Sequence, residues 1–166
     1  VVNGELKELN ASFLSSYVAG KAYSQLRSHV TPRQLGWVCP GEVSFRCFRD
    51  DDTRVRRADT AFLRLDRLTA EQARAEGHCT VVPDLVVEVV SPNDLADEVN
   101  EKRIEWLEAG ARLVWVIHPV QQTIHAYRAD GSVVLFRRTD TLTADPVLPD
   151  FQAPVADLFR LPVAGA

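Results

Sequence analysis

Apolar positions along the chain follow a helical rhythm in two stretches and an extended rhythm in most of the others. Over residues 10–29, Leu14, Tyr17 and Val18 set an apolar face that Ala22 and Gln25 continue more weakly, which predicts a helix capped by Ser12 or Asn10. Gly20 weakens that helix, since a mid-helix glycine costs about 1 kcal/mol relative to alanine, and Thr31-Pro32 is expected to end it. Gly36-Trp37-Val38 and the run from Val43 to Phe48 predict two extended pieces broken at Pro40-Gly41. After a polar turn at Asp50-Asp51-Asp52-Thr53, a strand is expected over residues 55–65 with Arg57, Asp59, Ala61 and Leu63 on one side, then a charged loop up to Thr80.

Residues 81–90 hold six valines in ten positions, a run that predicts a central strand buried on both faces. Ser91-Pro92-Asn93-Asp94 closes it and opens a helix, with Asn93 or Asp94 expected as cap and Gly110 as the stop. Leu113 to Ile117 reads as a further apolar strand. Thr123 to Arg128 and Val133 to Arg137 read as a hairpin around Ala129-Asp130-Gly131-Ser132. The tail from Leu148 to Phe159 reads as a docking segment. This order of elements predicts an α/β (α+β) chain with a mixed sheet, and the absence of repeats and linkers leads us to expect a single domain over residues 1–166.

Composition narrows the picture. With 46% hydrophobic and 25% charged residues the chain has the make-up of a soluble protein, and no apolar run approaches the roughly 20 residues a membrane helix needs. Val1-Val2-Asn3-Gly4-Glu5 has no signal-peptide character, so the cytoplasm is expected, and the start at Val1 rather than Met leads us to expect a trimmed or fragmentary chain. Cys39, Cys47 and Cys79 have no zinc-like spacing and read as buried thiols. A net charge of -4 argues against a protein that coats nucleic acid by charge alone. Locally, Arg46, Arg49, Arg54, Arg56, Arg57, Arg64 and Arg67 give one region that phosphate contact would suit. The serines at 15 and 16 and the histidines at 29, 78, 118 and 125 lack the G-x-S-x-G turn and the spacing of a serine hydrolase, and no glycine-rich phosphate loop is present.

Two polar residues stand where core is expected. Along the valine strand Asp84, Val86, Glu88 and Val90 share one face, so Glu88 occupies a core position, where a carboxylate survives only if paired, hydrogen-bonded or metal-bound. Asp84 is roughly 13 Å away along an extended strand, at about 3.3 Å per residue, too far to share an ion with Glu88 unaided. On the following helix Leu95, Val99 and Trp106 mark an apolar stripe, and Lys102 falls between them, on the inward face. Its aliphatic stem also suits plain packing, with the ammonium reaching water. Asp59 offers a second carboxylate. Two acids and a lysine in one cleft match metal-assisted phosphodiester hydrolysis, with oxygen ligands favouring Mg²⁺ or Mn²⁺.

At these residues the sequence resembles the Uma-two family of restriction endonucleases. The likeness is carried by Asn3-Gly4-Glu5-Leu6, by Arg56-Arg57-Ala58-Asp59-Thr60-Ala61-Phe62, and by Pro83-Asp84-Leu85-Val86-Val87-Glu88-Val89-Val90-Ser91-Pro92. Glu101-Lys102 and Ala109-Gly110-Ala111-Arg112-Leu113-Val114-Trp115-Val116-Ile117 extend it over nearly the whole chain. The resemblance implies a restriction-endonuclease-like mixed β-sheet flanked by helices and a Mg²⁺-dependent endonuclease of the PD-(D/E)xK class acting on DNA, for which a homodimer would let two sites address two strands. It implies Asp59 and Glu88 as metal-binding catalytic acids and Lys102 as the catalytic lysine moved to the helix, with Asp84 either joining the site or anchoring the strand, and Glu5 or Glu8 as a further acid. Two departures are visible: Ala58 stands where that class has Pro, and Val90 stands where the motif's own lysine would lie. The second departure, with the acidic pI near 5.6, favours an alternative in which the chain is a nuclease-fold binding module without catalysis.

Overall fold

A computed structural model of the chain describes residues 12–163. Helix α1 (Phe13–Arg33) is followed by strands β1 (Gly36–Pro40), β2 (Ser44–Phe45), β3 (Arg56–Arg57) and β4 (Thr60–Arg64), then by the short helix α2 (Ala70–Arg74). Strand β5 (Leu85–Val89), helix α3 (Ala96–Ala109) and strand β6 (Leu113–His118) form a β-α-β unit. Next come β7 (Thr123–Arg128), β8 (Val133–Arg137), β9 (Thr141–Ala144), β10 (Leu148–Pro154) and helix α4 (Val155–Phe159). Six strands make one mixed sheet in the order β1-β4-β5-β6-β7-β8. Only β5 and β6 in it run parallel, because α3 carries the chain back to the starting edge. The remaining neighbours are antiparallel.

The two faces of β5 feed two cores. Leu85, Val87 and Val89 join Trp115 and Ile117 beneath α1, whose Val18, Ala22, Leu26 and Val30 recur every four residues along its buried face. Val18, Leu26 and Val30 are fully buried, a burial that contributes roughly 1.5–3 kcal/mol for each such side chain. On the opposite face Val86, Val114 and Val116 pack with Trp106 of α3 and with Phe45 and Phe48 from the β2 region. The cysteines sit half-buried around this second core. Burial pushes the Cys39 thiol up to about 11 and Cys47 up to about 12, so both stay protonated at neutral pH.

Several expected boundaries move, each for a physical reason. Ser12 is the α1 cap, its hydroxyl accepting from Ser15 N at 3.1 Å, while Asn10 lies outside the described residues. The helix runs through Pro32 to Arg33 and stops at Gln34, a left-handed residue whose N–H satisfies Thr31 and Val30 carbonyls. The charged loop before Thr80 contains α2, which a reciprocal Thr69–Gln72 capping box starts. Neither Asn93 nor Asp94 caps α3: the N-cap is Leu95, and Asp94 turns back to accept from Ser91 N at 2.8 Å. Leu95 is exposed and Glu105 takes a buried place on the helix, where Arg56 reaches it at 2.6 Å. The tail is a β9–β10 hairpin and a helical turn that close the first core with Leu148, Phe151 and Leu158.

The single strand expected over residues 55–65 is broken at Ala58-Asp59. Its first part, β3, pairs with β2 outside the main sheet, and its second, β4, joins the main sheet between β1 and β5. Gly36 permits the β1–β4 approach, since a Cβ there would stand 2.1 Å from the Leu63 carbonyl oxygen.

Candidate active site

Asp59 occupies the break between β3 and β4 and takes over part of the missing ladder. Its N–H donates to Val87 O at 3.0 Å, and its Oδ2 accepts from Val89 N at 2.6 Å. These two bonds bracket Glu88, so the chain crossing from one small sheet to the large one is held beside that residue. Glu88 is 7% exposed on the α3 face of β5, with Oε1 accepting from the Trp106 indole N–H at 2.8 Å. Lys102, half-buried one turn before Trp106 on α3, acts electrostatically on both acids.

The electrostatics follow from this crowding. Burial pushes Glu88 up to about 7, the nearby Asp59 charge adds to the rise, and Lys102, the Trp106 hydrogen bond and Arg56 oppose it. Burial also raises Asp59, against the Val89 hydrogen bond and Lys102, with Asp94 pushing the same way as burial. Two acids that resist ionisation together, next to one lysine, form a site in which added positive charge is stabilising.

The donor set fits a hard divalent cation. Each acid keeps one oxygen outside the bonds just described, and both donors are carboxylates, the ligand type that Mg²⁺ and Mn²⁺ prefer. Among the described residues no group of three or more His, Cys, Asp or Glu gathers as a metal cage. Mg²⁺ commonly binds through one or two carboxylates with waters and substrate phosphate completing the shell, so a pair such as Asp59 and Glu88 would be enough to hold it.

Asp84, the fourth expected site residue, is not brought to the others. It lies fully buried before the opposite end of β5, where Oδ2 accepts from Arg64 N and Oδ1 from Arg67 Nη1, both at 3.0 Å. It anchors the strand start. Glu5 and Glu8 lie outside the described residues. The arginine-rich region is largely committed internally, because Arg54 and Arg56 meet Glu105, Arg64 meets Asp66 and Arg67 meets Asp84. Arg46, Arg49 and Arg57 remain exposed there. Trp106 and Asp94 enter the site unannounced by the sequence reading, which gave them packing and capping roles. The usable signal for Trp106 was its place four residues after Lys102, on the same helix face.

Removing the indole donor tests the geometry. In Trp106→Phe the ionised Glu88 loses a hydrogen bond that favours it, so its pKa moves above about 7. NMR titration of the side-chain carboxyl carbon reads this directly, and an unmoved titration would show that Trp106 does not hold the carboxylate.

The comparisons with known proteins fit this architecture. A search of curated proteins returns no match. Among solved structures, a protein from Anabaena variabilis ATCC 29413, titled a "putative nuclease belonging to DUF820", is similar with a TM-score of 0.81 at 19% identity, over 95% of this chain and 87% of that one. At that identity the likeness establishes the shared fold. The Uma2 family model, described as "Putative restriction endonuclease", matches residues 1–156, and the chain therefore belongs to the Uma2 family.

Proposed function

We propose that this chain is an endonuclease that hydrolyses DNA phosphodiester bonds with a divalent cation, Mg²⁺ or Mn²⁺, held by Asp59 and Glu88. The observation that carries the reading is the buried Glu88, which β5 places in a core position yet which shares its surroundings with Asp59 and Lys102. Family membership and the neighbour's title support the same reaction class.

The residues divide the work by their chemistry. Asp59 and Glu88 provide the anionic oxygens, and their backbone and indole hydrogen bonds fix where those oxygens point. Bound there, the cation would polarise a phosphoryl oxygen and acidify a water. Lys102 approaches from α3 and supplies a positive charge for the attacking water or for the charge that develops on phosphorus oxygens. Asp84 takes no part in this scheme and keeps β5 in register. Cutting both strands of a duplex calls for two such sites, which a homodimer would supply; among the described residues β8 is a sheet edge with Val133 and Leu135 exposed, as pairing of two copies across a two-fold axis would use.

The test is cleavage of plasmid DNA with Mg²⁺. Wild type should nick or linearise the plasmid, chelation should stop it, and Lys102→Ala should stop it while circular dichroism stays unchanged. A folded wild-type protein that binds Mn²⁺ by calorimetry but cuts neither DNA nor RNA would instead establish a non-catalytic binding module.

A further inference from the structure

Beside the acids, α3 and the sheet enclose a cleft of about 270 Å³ whose walls include Val90, Asp94, Arg103, Val116, His118 and Tyr127. Asp59, Glu88 and Lys102 do not line it, but it borders them through neighbouring residues. Val116 is the register partner of Glu88, Val90 directly follows the last residue of β5, and Asp94 acts electrostatically on Asp59. Arg103 directly follows Lys102. The guanidinium of Arg103 lies 4.3 Å from the centre of the Tyr127 ring, and its Nη2 donates to Asn100 Oδ1. Its Nε is buried without an acceptor among the described residues. Outside the lining, His125 meets the lining residue His118 edge to face at 5.1 Å and stacks on Tyr127 at 6.2 Å. Burial and the neighbouring His125 lower the pKa of His118, which keeps its ring neutral at pH 7.

We infer that this cleft is the subsite for the nucleotide next to the scissile phosphate, with Arg103, held over Tyr127, on its phosphate and the His118 ring against its sugar and base. The inference rests on the nuclease reading of the neighbouring acids and goes beyond it by assigning a binding site. The chemistry matches on both counts. A guanidinium stacked on an aromatic ring is held in one plane, so its outward N–H groups are set for a phosphate oxygen at little ordering cost. Aromatic rings accept any base by stacking, which suits an enzyme that must hold a strand beside its reacting phosphate.

Two readouts test it. In the first, thymidine 5′-monophosphate is titrated into the metal-free protein while the ring signals of His118 and Tyr127 are followed by NMR. Saturable shifts are expected in wild type and in Glu88→Gln, with loss in Arg103→Gln and partial rescue in Arg103→Lys. In the second, cleavage of a labelled oligonucleotide with Mg²⁺ is expected to show KM raised about tenfold in Arg103→Gln and in His118→Ala, the scale of one charge-assisted contact, with kcat changed far less. Thermal melts check that each variant is folded. Active wild type with silent rings, or with a KM indifferent to both substitutions, would overturn the subsite and leave the proposed function standing. Ring shifts in a protein that never cuts DNA would leave a nucleotide-binding cleft but overturn both its place beside a scissile phosphate and the catalytic reading, and neither signal would remove both.

Discussion

Glu88→Gln is expected to lower DNA cleavage roughly 10³-fold or more, as loss of a central catalytic group does, while making the metal-free protein more stable at pH 8. The stability gain follows from the direction of the shift. Glu88 in the folded state ionises only near 7, against an ordinary value of 4.5. Below about pH 4.5 the carboxyl is neutral folded or unfolded, and its burial carries no charge penalty. Between about 4.5 and 7 the unfolded chain releases the proton first, so wild-type stability falls as pH rises, and above 7 the loss is complete. Glutamine has no such titration. Urea denaturation should therefore find the two proteins closest near pH 4 and the variant ahead by a few kcal/mol at pH 8. Adding Mg²⁺ should raise the melting temperature of wild type at pH 8 and leave the variant unchanged. Parallel stability curves from pH 4 to 8 would mean that Glu88 is not held as described.

Asp84→Ala should do the reverse, costing about 3 kcal/mol of stability, the lower end for a broken buried ion pair, with cleavage per folded molecule retained. The loss sits at the lower end because Arg67 is 34% exposed and can recover water, whereas the Arg64 N–H loses its acceptor in the strand. Denaturation midpoint and specific activity measured on the same preparation separate the two roles. A variant as stable as wild type but unable to cut DNA would return Asp84 to the catalytic group.

Much of the architecture was legible because it is local. The limits of β7 and β8 coincide with the apolar runs around the Gly131 turn, and Gly110 ends α3 with φ of 113°. Alternation along β5 correctly separated the Glu88 face from the face that meets α1. Where the reading slipped, a side chain had replaced a backbone group. Asp59 accepts from Val89 N and so breaks a strand that propensity would continue, and Asp94 bonds Ser91 N in place of capping the helix. The Thr69 capping box was present in the sequence but hidden in a charged stretch without apolar periodicity.

The sequence by itself determined that one strand is buried on both faces and carries Glu88 on one of them, because period-two alternation needs no partner to be read. It also put a lysine on the inward side of the next helix. Only the tertiary structure decided what surrounds each acid. Asp84, just before β5, and Glu88, within it, are both almost completely buried, yet one meets Arg67 and a strand N–H while the other meets Asp59, Trp106 and Lys102. A carboxylate's ionisation and its use depend on the charges and donors packed around it, and those arrive from segments far apart in the chain.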